Sequence, residues 1–177
     1  ISGGKLERFQ REKDIDKHGK IGQLLAKGAL VPVQVVKEPI SSKGPRLSSE
    51  LSLAGRYLVL VPFSNVVNVS KKVTSHEERK RLLRLIQSIK PENFGVIIRT
   101  VAEGKEVEEL EKDLHDLVKS WEEGMTRLIE AQPRDRIIGE ISKTSSLLRD
   151  MLNDSFDNIH VDEKKLYDEV RGYVQKI

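Results

Sequence analysis

The stretch LSLAGRYLVLVP, at residues 51–62, decides how the rest of the chain is read. It is dense in Leu and Val, which suit a pleated and buried surface, so it predicts the principal strand. Gly55 interrupts it, and a glycine inside a strand marks a bulge or a close approach to the backbone. Downstream, VVNVSKKV at 66–73 alternates enough for a second strand. Ser75 and Glu78 have capping-box spacing, Leu82, Leu85, Ile86 and Ile89 share one helical face, and Pro91 ends that helix. FGVIIR at 94–99 predicts a short central strand. Val107, Leu110, Leu114, Leu117, Trp121, Met125 and Leu128 then recur at spacings of three and four, which predicts one long amphipathic helix over 106–130. Such a stripe either lies across the chain's own sheet, the commoner arrangement, or packs on a partner helix.

Working upstream, ALVPVQVV at 29–36 predicts a buried strand, with Pro32 pointing to a sheet edge. KEPISSKGP at 37–45 is a loop or hairpin tip, and 46–50 a returning strand. Residues 1–28 are irregular or a linker, and KLERFQREKDIDKHGK at 5–20 is too charged to build a core. Beyond Pro133 the expected order is a strand at 137–141, a helix at 142–152 with Leu147, Leu148, Met151 and Leu152 apolar, a strand at 158–161, and a last helix capped by Asp162. Strand–helix–strand–helix is an α/β signature, distinct from the preceding unit.

The chain has 177 residues, of which 37% are hydrophobic, 33% charged and 5% aromatic, so any core is mostly Leu, Ile and Val. A net charge of +3 permits polyanion binding without arguing for it. There is no cysteine, which excludes a disulfide, a thiolate metal site and a cysteine nucleophile in this stretch, and fits a reducing compartment such as the cytoplasm. No apolar run approaches the ~20 residues of a membrane span. The first residue is Ile1 and not Met, so the chain is expected to be a piece of something longer.

Catalytic chemistry finds little purchase. His18, His76, His115 and His160 are not spaced as metal ligands. Glu108, Glu109, Glu111 and Lys112 make a solvated helix face. Asp150, Asp154 and Asp157 span a helix end and a turn, where capping alone explains them. Binding is better served. Lys43-Gly44-Pro45-Arg46 places two cations on a tight loop, and Lys71-Lys72 follows a strand and precedes the capped helix. At Arg99-Thr100 an apolar strand ends in a guanidinium and a hydroxyl, a pair suited to a terminal phosphate. An Arg pairing structurally with a carboxylate of the long helix is the other reading.

Taken in order, SLAGRYLVLVP (52–62), NVSKKV (68–73) and FGVIIRTVAEG (94–104), followed by a Leu-rich helix with Trp121, resemble the ribonuclease E/G family. VQVVKEPISSKGPRLSSE (33–50) looks like the last strands of that family's OB-type RNA-binding domain, and the tail from 136 with SSLLRDML is similar to its ribonuclease-H-like subdomain. The resemblance implies a multi-subdomain α+β and α/β chain: a remnant of the OB-type domain at 29–50, a 5′-sensor subdomain at 51–133, and part of a ribonuclease-H-like subdomain at 134–177. It further implies a bacterial endoribonuclease of rRNA processing and mRNA decay that cuts single-stranded RNA and favours a 5′-monophosphate.

By match, Arg99 and Thr100 grip that phosphate, Gly55 and Val59 line the pocket, and Lys43 is a basic position of the RNA-binding domain. Lys71 and Lys72 stand where the family often has an arginine pair; lysine keeps the charge but loses the planar fork. The family's magnesium-binding aspartates and zinc-linking cysteines belong to later segments, so no catalytic residue and no metal ligand is assigned here. The full-length protein is expected to be a homo-oligomer. The alternative is a non-catalytic helical interaction module built on the Val107–Leu128 stripe.

Overall fold

The computed structural model describes residues 19–23, 25–139, 142–153 and 155–175. The charged stretch at 5–20 and His18 fall almost wholly outside them. Among the described residues the elements are strands β1 (Gln34–Lys37), β2 (Arg46–Ser48), β3 (Leu53–Ala54), β4 (Leu58–Pro62), β5 (Val67–Val69) and β6 (Phe94–Ile98), and helices α1 (His76–Ile89), α2 (Val107–Leu128), α3 (Lys143–Met151) and α4 (Lys164–Val174). This is a mixed α+β chain with two sheets: β1–β2, and a four-stranded sheet in the order β3-β4-β6-β5. It divides into two compact units, one running to Asp135 and one from Arg136.

The principal strand is in fact a hairpin. Residues 55–57 turn the chain between β3 and β4, which pair antiparallel as Leu53↔Leu60 and Ala54↔Val59. β6 lies between β4 and β5, antiparallel to β4 and parallel to β5, with α1 as the crossover. The parallel pair needs such a crossover, because a tight turn cannot bring a chain back in the same direction. The pleat sends Leu58, Leu60, Val96 and Ile98 to one face, where all four are fully buried. Val59, Val61 and Ile97 point to the other face, and Ile97 is exposed.

The buried face is covered by the two helices. α1 contributes Leu82 and Ile86, and α2 contributes Leu110, Leu114, Leu117, Trp121 and Met125. Most of the Val107–Leu128 stripe is thus buried against the chain's own sheet, with Leu128 half-buried and Val107 39% exposed. Trp121 meets Phe63, just past β4, edge to face at 5.7 Å.

Ser75 caps α1 through the Glu78 N–H, as its spacing predicts. Glu78 does not complete the box. Its carboxylate takes two hydrogen bonds of 2.7 Å from Arg81 and one of 2.9 Å from the Gly104 N–H, while Arg81 also donates to the Lys105 carbonyl. This ties α1 to the turn that leads into α2. Gly104 sits at φ +72°, a conformation that favours glycine. The Arg81 fork holds the Glu78 carboxyl well below its ordinary value, from 4.5 to about 2. A depressed carboxyl stabilises the fold above its unfolded value and loses that contribution as pH falls through the folded one. Glu78→Gln is therefore expected to cost about 1 kcal/mol at neutral pH, after allowance for the solvent around Arg81. The gap to the parent should close between pH 4.5 and about 2 in urea titrations.

Several expectations are corrected. The segment 29–33 is not strand: β1 begins at Gln34, after Pro32, and its valines are exposed and not buried. Two hydrogen bonds between the Gln34 side chain and the Ser52 backbone hold it. No strand forms at 137–139 or 158–161 among the described residues. Glu140 and Ile141 lie outside the described residues. α4 is capped by Glu163, whose carboxylate accepts from Lys165 and Leu166 N–H, and not by Asp162. Between α3 and α4, Ser142 and Ser145 donate to Glu169 and Val170 is buried, whereas Leu147 and Met151 are exposed.

Candidate functional site

Strand directions gather the predicted residues at one end of the four-stranded sheet. β5 and β6 run parallel, so the turn after β5 (Ser70, Lys71, Lys72) and the end of β6 (Arg99, Thr100) emerge side by side. β4 runs the other way, so its start, with the 55–57 turn, arrives at the same end. The junctions are hydrogen-bonded: Ser70 N–H to the Ile98 carbonyl and Arg99 N–H to the Tyr57 carbonyl, both at 2.8 Å. Gly55, Arg99, Thr100, Lys71 and Lys72 are thereby brought together. Val59 stands one step along β4, on the open face opposite Ile97.

The groups at this end are a guanidinium, a pair of hydroxyls and two ammonium groups. Arg99 Nη1 donates to the carbonyls of Gly55 at 2.8 Å and Arg56 at 3.3 Å, which fixes one edge of the guanidinium against the turn. Thr100 Oγ1 and Ser70 Oγ lie 3.1 Å apart, and a hydroxyl pair of this kind retains capacity for a third oxygen. Lys71 and Lys72 are exposed beside them. Arg79 of α1 shapes their turn from below by donating to the carbonyls of Ser70 (2.7 Å) and Val73 (3.1 Å). Lys43 is not part of this group. It lies exposed at the tip of the β1–β2 hairpin, where its backbone pairs with Ile40.

Asp113 of α2 lies under the 55–57 turn and was not predicted. Its carboxylate accepts three backbone N–H groups, from Arg56 at 3.0 Å and from Tyr57 and Leu58 at 2.9 Å. Burial pushes this carboxyl above its ordinary value, and the three amide donors only partly pull it back. Gly55 has no room for a side chain, because a Cβ there would stand 2.6 Å from both Asp113 oxygens. The close approach expected at Gly55 is real, and the group that approaches is Asp113. Beside it, the Tyr57 hydroxyl donates to Glu109 at 3.1 Å, and Arg56 and Lys105 sit over the Tyr57 ring.

Asp113 and Arg79 did leave a signal in the sequence. Asp113 is three residues after Leu110 and four before Leu117, and Arg79 is three before Leu82, so each lies on the apolar face of its helix. A charge in such a place is expected to have a partner.

Among the described residues, no three His, Asp or Glu side chains stand together as metal ligands. No helix among them is long and apolar enough to cross a membrane.

The model of the ribonuclease E/G family matches residues 52–177. The chain belongs to the ribonuclease E/G family. It is 35% identical to ribonuclease G of Haemophilus influenzae over 156 residues, which are 88% of this chain and 32% of that protein. It is 37% identical to ribonuclease G of Escherichia coli K12 over 148 residues, 84% of this chain and 30% of that one. With ribonuclease E of Nostoc sp. it shares 38% over 155 residues, 88% of this chain and 23% of that one. The chain thus spans about a third or less of these ribonucleases. The β3–β6 sheet, its two helices and the gathered cations all lie inside the stretch that the ribonuclease E/G model matches.

Proposed function

We propose that this chain is the RNA-recognition portion of a cytoplasmic, magnesium-dependent endoribonuclease of the ribonuclease E/G family, and that the end of its four-stranded sheet receives the 5′-monophosphate of single-stranded RNA. In this reading residues 51–133 are the 5′-sensor subdomain, 29–50 the end of an OB-type domain carrying Lys43 as an RNA contact, and 134–177 part of a ribonuclease-H-like subdomain. The metal ligands and the cutting chemistry belong to other segments of the full-length homo-oligomer, with magnesium at the reaction and zinc between subunits.

The observation that carries the proposal is the meeting of Arg99, Thr100, Ser70, Lys71 and Lys72 at one sheet end, with Arg99 held by the carbonyls of the Gly55 turn. A terminal phosphate is a dianion with three equivalent oxygens, and a fixed guanidinium, a hydroxyl pair and flanking ammonium groups match it in charge and in donor geometry. An internal phosphodiester carries one charge and has no free end, so the same set discriminates by charge as well as by access. Val59 and Ile97, apolar and on the open face next to Arg99, suit the ring of the first nucleotide.

Fluorescence anisotropy with a short 5′-monophosphorylated RNA and its 5′-hydroxyl twin tests the proposal. The monophosphate is expected to bind about tenfold tighter, the worth of a charge-assisted hydrogen bond, and Arg99→Ala to erase the difference. Equal affinities for the two RNAs in the parent chain would overturn it.

A further inference from the structure

The turn at 55–57 is clamped from both sides. The N–H groups of Arg56, Tyr57 and Leu58 point to the Asp113 carboxylate at 2.9 to 3.0 Å, while the Gly55 N–H donates to the Leu58 carbonyl. The Gly55 and Arg56 carbonyls point away, to Arg99. A peptide plane cannot turn its N–H without also turning the carbonyl bonded to it, because the unit is rigid. The carboxylate therefore sets the direction in which the carbonyls of Gly55 and Arg56 face. Those carbonyls, in turn, anchor Nη1 of the Arg99 guanidinium. Three donors converging on one side chain require an acceptor-only group with several lone pairs, which an ionised carboxylate is and an amide is not.

We propose that Asp113 is a positioning residue: through the amides of Arg56, Tyr57 and Leu58 it orients the 55–57 turn, and through that turn it holds the Arg99 guanidinium in the orientation that receives the anion. It rests on the phosphate-binding reading above and touches no RNA itself. Two other features deepen the assignment. Gly55 lacks the Cβ that would strike the carboxylate at 2.6 Å, so turn and carboxylate are shaped to each other. Glu109, four residues earlier on the same helix, takes the Tyr57 hydroxyl, so α2 grips this turn by a side chain as well as by the backbone.

The test is Asp113→Asn, which keeps the shape and replaces one acceptor oxygen by an NH₂ facing amide donors, with Asp113→Ala as the second variant. Arginine side-chain NMR of the chain, with the Arg99 Nη–H resonances assigned through Arg99→Lys, reads the guanidinium without RNA. In the parent these protons are expected to be resolved and slow to exchange, and in Asp113→Asn averaged and fast, with the Trp121 near-UV circular dichroism unchanged. Preference for 5′-monophosphate over 5′-hydroxyl RNA is expected to fall about tenfold, while affinity for the 5′-hydroxyl RNA stays within twofold. Arg99 resonances and 5′ preference both unchanged in Asp113→Asn or in Asp113→Ala would overturn the assignment. A parent chain with no 5′ preference would defeat the phosphate reading instead, and the NMR comparison would then decide alone whether Asp113 orients Arg99.

Discussion

Leu114→Glu is expected to unfold the sheet unit outright. Leu114 is 3% exposed on α2, between the fully buried Leu110 and the buried Leu117, over the inner face of β4. Removing a buried leucine costs about 2–5 kcal/mol in lost transfer and packing. The carboxylate that replaces it finds no partner among aliphatic neighbours and adds a further cost of about 2 kcal/mol or more, even if it takes up a proton. Together these come to about 4–7 kcal/mol or more, comparable to the lower part of the ~5–15 kcal/mol that holds an ordinary domain folded. Urea unfolding followed by Trp121 emission should lose its cooperative transition in the variant. Glu111→Ala, on the exposed side of the same helix, should stay within about 0.5 kcal/mol of the parent. A Leu114→Glu chain that kept its transition and only changed its oligomeric state would mean that the stripe meets another molecule and not the sheet.

Gly55→Ala is expected to destabilise the same unit by about 1–3 kcal/mol, the usual range for forcing a methyl into a filled space. The methyl would lie 2.6 Å from both carboxylate oxygens of Asp113 and 2.8 Å from its carbon. A lysine tip in that place could swing aside. This carboxylate cannot, since it is anchored by three amide N–H groups. Thermal melting of Gly55→Ala, Asp113→Ala and the double variant should be non-additive, because removing the carboxylate removes the collision. A coupling of about 0.5–3 kcal/mol is expected for residues in contact, and simple additivity would show that the methyl is accommodated some other way.

The sheet unit was largely legible because its signals are local. Ser75 caps α1, the spacing of the α2 stripe matches its buried residues, and Arg46–Ser48 returns along β1, all as expected. Of the bulge or close approach expected at Gly55, the structure shows the close approach, and the single strand expected around it is a hairpin, since a strand with an interruption and a hairpin with a three-residue turn look alike in sequence. What could not be read was non-local. The Asp113 clamp joins residues 55 to 57 apart in the chain, and no pattern of period two or 3.6 records such a pairing. Glu78 has capping-box spacing, yet Arg81 and the Gly104 amide outcompete its own N-cap backbone. At 158–161 the β-branched pattern was present, but strand structure depends on a partner ladder as much as on propensity.

The parallel pairing of β5 with β6 has a consequence for when the site exists. Ser70 meets Thr100 across 30 residues, and Arg99 meets Gly55 across 44. Each junction requires a long loop to close before its contacts form. No peptide cut from this region, and no nascent chain that has yet to reach β6, presents the constellation. On the phosphate-binding proposal, only the native chain holds an anion there, and the denatured chain does not. Occupancy would then act as a thermodynamic ratchet on folding, so that a ligand seated at the sheet end raises the melting temperature as its concentration climbs above the dissociation constant.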